Sequence, residues 1–304
     1  MTEPTTPPPA QGSFPGMPER LYVASPSRLL AYVDCPRRYR LQYLDRPKPT
    51  PAPQRAHTSL GIAVHNTLRD WWDLPAQQWS ASRAMELVRA SWVATGFRDE
   101  AMSRRWLERS QRHVVDYLRG LSPANRPIGV ERTVSLRTGS IIVQGRIDRL
   151  DDRPTSDGGR ALVVVDYKTS RRTSTEQELR TSLPMALYAV AVGAMFRRSC
   201  VDVELHHVPS STVVRHRHTT ESLQRKVAEA ESIAADLKRA DADYAERGVE
   251  SPHFPPRLSA LCGWCDFRAH CAEGAAHAPE QSPWAALEPD TAPAPGQGRA
   301  SPAD

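Results

Sequence analysis

Between residues 128 and 170 the apolar pattern changes from a helical period to a strand period, and this constrains the fold more than any other feature. Three segments, "IGVERTVSLRT", "SIIVQGRIDRLDD" and "ALVVVDYKTS", have strand length and strand composition, with the turn residues "TGS" and "RPTSDGG" between them. Consecutive strands joined by short turns predict a three-stranded meander. Helical patterns flank it. On the N-terminal side lies "SPSRLLAYVDCPRRYRLQYL", where Ser25 can cap and Pro26 suits the first turn. After the Pro-rich "DRPKPTPAPQ", helices are predicted over about 59–73, 81–94 and 99–120. On the C-terminal side a helix over about 175–197 precedes the strands "VDVELHHV" and "TVVRHRH". A long helix at about 219–246 then opens on a Thr cap with Glu in its first turn. Helices, three strands, helix, strand predict an α/β architecture, one mixed sheet flanked by helices.

The chain has 304 residues, and its two ends are rich in Pro, Ala, Gly and Ser. Residues 1–20 and 277–304 therefore read as disordered tails around one folded domain over 21–276. The polar start carries no secretory pattern, and no apolar run approaches the ~20 residues that span a bilayer. A soluble, cytoplasmic protein without a membrane partner is the expectation. Net charge is +5 and the pI is near 9.1, which permits a nucleic-acid partner. Of 40 basic residues only four are lysine, so Lys168 stands out in a chain otherwise committed to arginine. Chemistry that needs a compact point charge rather than a planar fork would explain it.

Alternate residues of a strand share a face, so Asp166 and Lys168 project side by side. Asp148, in "GRID" on the adjacent strand, should approach Asp166. Two carboxylates at close range repel unless a cation sits between them, and Mg²⁺ suits oxygen ligands and a phosphate substrate. Lys168 could then orient an attacking water and counter charge on the phosphate. Taken alone, Asp-x-Lys is more often a solvated ion pair at a strand end.

Three of the five cysteines lie in "CGWCDFRAHC", a C-x2-C-x5-C spacing of Cys262, Cys265 and Cys271. They read as metal ligands with Cys35 as the natural fourth, and Cys₄ suits zinc as well as iron–sulfur. Cys200 reads as a plain buried thiol. Around Cys35, "CPRRYRLQY" sets Arg37, Arg38 and Arg40 beside Tyr39 and Tyr43, a mixture suited to single-stranded DNA. Trp71 and Trp72 read as packing residues.

"GRIDRLD" followed by "VVVDYKTS" resembles the catalytic core of the PD-(D/E)XK nucleases, specifically the RecB-like exonuclease family. The resemblance implies a restriction-endonuclease-like αβββαβ core and a metal-dependent DNA nuclease of exonuclease type. It also implies action on single strands or ends, in DNA repair or recombination, with Mg²⁺ or Mn²⁺. By it Asp148 and Asp166 hold the metal, the Tyr167 backbone carbonyl is a further ligand, and Lys168 assists the water. "GIAVHNTL" matches the family's upstream "GxxxHxxL", which makes His65 a metal ligand, and Glu131 in "GVERTV" matches an acid of the first strand. The family's Gln-Leu-x-x-Tyr pattern keeps Tyr188, a DNA- or site-organising residue, but Pro184 stands in place of the Gln. That departure supports an alternative, a catalytically weak DNA-binding or repair-complex subunit. With no Walker motif in the chain, ATP-driven unwinding would need a helicase partner. A subset with an AddB-like cysteine pattern implies a [4Fe–4S] cluster on Cys35, Cys262, Cys265 and Cys271, with zinc as the alternative.

Overall fold

The computed structural model describes residues 21–122 and 126–287. Its centre is a six-stranded mixed sheet: β1 (Tyr22–Ala24), β2 (Gly129–Arg137), β3 (Ile141–Pro154), β4 (Arg160–Lys168), β5 (Asp202–His207) and β6 (Thr212–Arg217). The order is β1-β3-β4-β5-β6, with β2 also against β3. β2, β3 and β4 form the antiparallel meander, β4 and β5 run parallel, and β6 returns antiparallel. The expected α/β class with flanking helices is the one observed.

Two expected helices are each divided, both times by proline chemistry. Residues 25–44 form α1 (Pro26–Asp34) and α2 (Pro36–Tyr43), with Cys35 extended between them at φ −163° and ψ 108°. Pro36 clashes with a helical predecessor and so forces that break. The β4–β5 crossover consists of α6 (Glu176–Thr181) and α7 (Leu183–Phe196). Ser182 caps α7 and Pro184 occupies its first turn, where a missing N–H leaves no bond unmade. Pro184 thus has a structural reason to be where it is.

The other helices are α3 (Ala56–Asp73), α4 (Ala81–Ala90), α5 (Glu100–Arg119), α8 (Thr220–Arg247) and α9 (Ala272–His277). They make two cores, one on each face of the sheet. α1, α7 and α8 cover Ile147, Leu162, Val164, Val203 and Leu205, while α3, α4 and α5 cover Val163, Val165 and Tyr167. Trp71 and Trp72 are buried in the second core, as the sequence suggests, and Cys200 is buried in the first.

Two expectations are corrected. Tyr39 is fully buried, accepts from Arg28 and donates to Asp241 Oδ1 at 2.9 Å, so its ring cannot stack on a base. Its apolar ring closes the contact of α2 with α8 instead. Residues 277–287, assigned to the C-terminal tail, belong to the folded body, with His277 ending α9. Leu287 is buried, Trp284 packs beside it, and the Ala56 N–H donates to the Pro283 carbonyl at 3.0 Å. Composition concealed two apolar anchors within a Pro/Ala/Ser-rich stretch. The rest of the expected tails, 1–20 and 288–304, lies outside the described residues. Among those described, no helix is long and apolar enough to cross a membrane.

Candidate active site

The site forms where two strands part. β3 and β4 pair from Pro154↔Arg160 up to Arg149↔Val165, and the ladder stops there. Asp148 and Asp166 would be the next pair, but at this level β4 pairs only with β5, through Asp166↔Leu205, Tyr167↔His206 and Lys168↔His207. The Tyr167 N–H donates instead to Asp148 Oδ2 at 2.8 Å, which fixes that carboxylate in the fork.

Glu131 lies opposite Asp148, between the pairs Val130↔Arg149 and Arg132↔Ile147. Its φ is +47°, a left-handed backbone that costs about 1–3 kcal/mol for a residue of this type. On one side of it Val134 and Leu136 pack into the first core, and on the other Val130 packs against the second. The inversion at Glu131 lets the strand change cores, and the acids lie at that seam. α3 supplies His65 from the helix whose Val64 and Leu68 are buried in the second core. Its Nε2 donates to the Tyr167 carbonyl at 3.1 Å, since a carbonyl can only accept, and its Nδ1 lies 3.3 Å from Asp148 Oδ1. Ligand atoms of His65, Glu131 and Asp148 all lie within 4.8 Å of one another.

The electrostatics describe a site short of positive charge. Burial raises the pKa of Asp166; Lys168 opposes that and Asp148 adds to it. Burial raises Glu131 too, with Asp148 adding and Arg146 opposing at 2.6 Å. Burial alone would lower His65, but the hydrogen bond to Asp148 and the field of Asp148, Asp166 and Glu131 raise it. When protonated, His65 offsets part of the carboxylate charge, and without that proton its Nδ1 could hold a metal. Lys168 Nζ is 2.7 Å from Asp166 Oδ2, an ion pair rather than an aligned hydrogen bond. A buried carboxylate oxygen without an aligned donor, beside two further carboxylates and one imidazole, fits a hard divalent cation.

Tyr188 of α7 covers the same seam. Its ring fills the space over Gly145, where a Cβ would come within 2.4 Å of Cε1. Burial first, then Asp166 and Asp148, push its hydroxyl up to about 12, so it stays a donor beside the acids.

Sequence reasoning missed what holds the fork from behind. Arg149 and Asp151 are both 1% exposed, and Arg149 Nε donates to Asp151 Oδ1 at 2.6 Å while its guanidinium lies 4.6 Å from the Trp72 ring centroid. Arg153 bridges Asp151 to Glu204. Burial would raise Glu204, but His206 and Arg153 hold it down at about 2. Burial, Arg149 and Arg153 keep His206 below its ordinary value despite Glu204. Neutral His206 then donates from Nε2 to Glu204 and accepts at Nδ1 from Tyr117, at 2.8 and 2.7 Å. The Tyr167 hydroxyl joins this group through Trp72 Nε1 at 3.1 Å. Charges at 149, 151 and 153 share one strand face and were the available signal, but such a pattern ordinarily marks a solvated face.

The cysteines gather away from the fork. Cys35, between α1 and α2, accepts from the N–H groups of Arg38 and Arg257 at 3.5 and 3.4 Å. Cys271 accepts from Gly274 N–H at 3.4 Å, and a Cβ on Gly274 would lie 3.2 Å from its Sγ and 3.6 Å from that of Cys262. Burial raises both Cys265 and Cys271, and each also feels Cys35. The nearby arginines are engaged by protein groups. Arg38 pairs with Asp34 at 2.9 Å, Arg40 with Asp45 at 3.1 Å, and Arg37 donates to the Phe254 carbonyl at 3.0 Å. Arg37 and Arg40, through the Phe254 and Val249 carbonyls, tie α2 to the segment after α8, whereas His65, Glu131, Asp148, Asp166, Tyr167, Lys168 and Tyr188 converge on the fork.

Residues 23–272 match the family described as the PD-(D/E)XK nuclease superfamily. No curated protein matches the sequence. Among solved structures, a candidate exonuclease from Eubacterium rectale is similar at 10% identity over 81% of this chain and 86% of that one, with a TM-score of 0.43. SSO0001 is similar at 13% identity over 71% and 85% of the two chains, with a TM-score of 0.32.

Proposed function

Because the chain belongs to the PD-(D/E)XK nuclease superfamily, we propose that it is a RecB-like, metal-dependent deoxyribonuclease acting on single strands or ends in DNA repair or recombination. The fork carries this reading: two strands part where Asp148 and Asp166 stand, and His65, Glu131 and Lys168 converge there. His65, Glu131, Asp148, Asp166 and the Tyr167 carbonyl would hold Mg²⁺ or Mn²⁺, which when bound supplies a Lewis acid for a phosphate oxygen and eases deprotonation of water. Lys168, the more exposed member of its pair, would donate to the attacking water and to a non-bridging phosphate oxygen. Asp166 holds that ammonium in place. Tyr167 N–H keeps Asp148 Oδ2 in the fork and leaves Oδ1 turned toward His65. Water oxygen bonds to phosphorus as the water gives a proton up to solvent, the bond to the leaving deoxyribose oxygen breaks, and that oxygen takes up a proton from solvent.

An end-labelled single-stranded oligonucleotide tests this. Wild type should shorten it with Mg²⁺ or Mn²⁺ and stop with EDTA; an intact oligonucleotide with both metals refutes the nuclease reading. Binding without cutting would identify the catalytically weak subunit, the reading that Pro184 favours by lacking a side-chain donor.

For the cysteines we propose a [4Fe–4S] cluster. The backbone N–H groups of Arg38, Arg257 and Gly274, which donate to the sulfurs of Cys35 and Cys271, support that reading. Anaerobically purified protein should be brown, with about four irons per chain. Cys35→Ser should lose most of that iron and unfold at lower temperature, because Cys35 ties the N-terminal helices to the 262–271 segment. Colourless protein containing zinc would overturn the assignment.

A further inference from the structure

α5 leads away from the candidate site with a basic stripe on its outer face. Its Val114, Val115 and Tyr117 are buried with Tyr167 beneath the fork. The 3-10 turn Val208–Ser210 continues β5 past His207, the cross-strand partner of Lys168, and packs on α5. His113 of α5 lies within electrostatic reach of His207. Burial, then Arg109 and Arg112, and also His207, hold His113 below its ordinary value, with Asp116 opposing.

From that level outward, Arg112, Arg109 and Arg105 are exposed and recur at helical spacings of three and four. At 1.5 Å per residue they span about 10 Å of the helix, the scale of neighbouring phosphates on a single strand. Other arginines of α5 are neutralised: Arg104 pairs with Glu100 and Arg119 with Asp116, each at 3.3 Å. Among the described residues, no carboxylate lies within ion-pair distance of Arg105, Arg109 or Arg112; Asp99 is within electrostatic reach of Arg105 only at longer range, and Glu108 at the edge of the stripe makes no ion pair. Arg109 lies 4.8 Å from the Trp106 ring centroid, which steadies the guanidinium without using up its charge.

We propose that Arg105, Arg109 and Arg112 form a track for the phosphodiester backbone of single-stranded DNA running to the fork, a surface distinct from the arginines around Cys35. The proposal rests on the nuclease reading for its substrate, and its test does not depend on cleavage. The measurement is fluorescence anisotropy of a labelled oligothymidylate with the full-length protein in EDTA, across a salt series. Each single-strand phosphate contact contributes about 0.7 to the slope of log K against log salt, so Arg105→Gln/Arg109→Gln/Arg112→Gln should reduce the slope by about 2. Arg104→Gln/Arg119→Gln, which removes paired charges from the same helix, should leave it unchanged. Turnover of a short phosphodiester such as a thymidine nitrophenyl ester should be equal in wild type and triple variant.

A triple variant with the wild-type slope overturns the track, as does an equal loss in the paired-arginine control or binding of duplex but not of single strands. If wild type binds with the expected slope change but never cuts, the track stands and the nuclease reading falls. If it cuts and the slopes do not differ, only the track falls.

Discussion

Asp166→Ala lowers turnover of a single-stranded oligonucleotide by about 10²–10³-fold, the cost of removing one group aimed at charge in a preorganised site. Two roles end together. The fork loses a carboxylate whose Oδ2 is buried without an aligned donor, so cation affinity falls, and Lys168 loses the partner 2.7 Å away that holds its ammonium. Lys168→Met separates the two roles. It leaves His65, Glu131, Asp148 and Asp166 in place, so Mn²⁺ binding by calorimetry should persist while turnover still falls. Asp166→Ala should lose both. A variant that cuts within tenfold of wild type would reduce Asp166 to the solvated strand-end ion pair that the bare Asp-x-Lys sequence also allows.

The fork was legible because its parts lie in short segments whose geometry is local. Alternation in "VVVDYK" places Asp166 and Lys168 on one face, and the turn "RPTSDGG" requires β3 and β4 to be neighbours. The position of the gap in the ladder was not legible, because it depends on Asp148 accepting from Tyr167 N–H in place of a strand bond. Nor was the strained Glu131, whose left-handed backbone is imposed by two cores meeting on one strand. Tyr39 and Arg40 misled for a related reason. A run of arginine and tyrosine has the composition of a nucleic-acid surface, but tertiary contacts with α8 and Asp45 decide that these side chains face inward. The stripe on α5 has a similar composition and differs in one property only the folded chain reveals, the lack of close ion pairs among the described residues.

Asp151→Ala should destabilise the protein by about 3–5 kcal/mol, because it takes the carboxylate away from a buried cation. Asp151 is 1% exposed and receives two hydrogen bonds from Arg149, at 2.6 and 2.8 Å, and two from Arg153, at 2.9 and 2.6 Å. Without it Arg153 keeps Glu204, but Arg149 stays buried and loses its carboxylate. Its contacts with the Trp72 ring and the Tyr167 hydroxyl offset only part of that, since a desolvated cation–π contact is worth about 2 kcal/mol. If the loss arises from the buried charge, Arg149→Met in the same chain should restore most of it, because apolar replacement of a buried ion pair is often neutral or stabilising. Urea midpoints with unchanged slopes measure both effects as stability alone. A loss below about 1 kcal/mol for Asp151→Ala, or a double variant no more stable than the single, would show that water reaches Arg149. The fork would then owe its position to β5 pairing and the Tyr167–Asp148 bond, without support from the charges behind it.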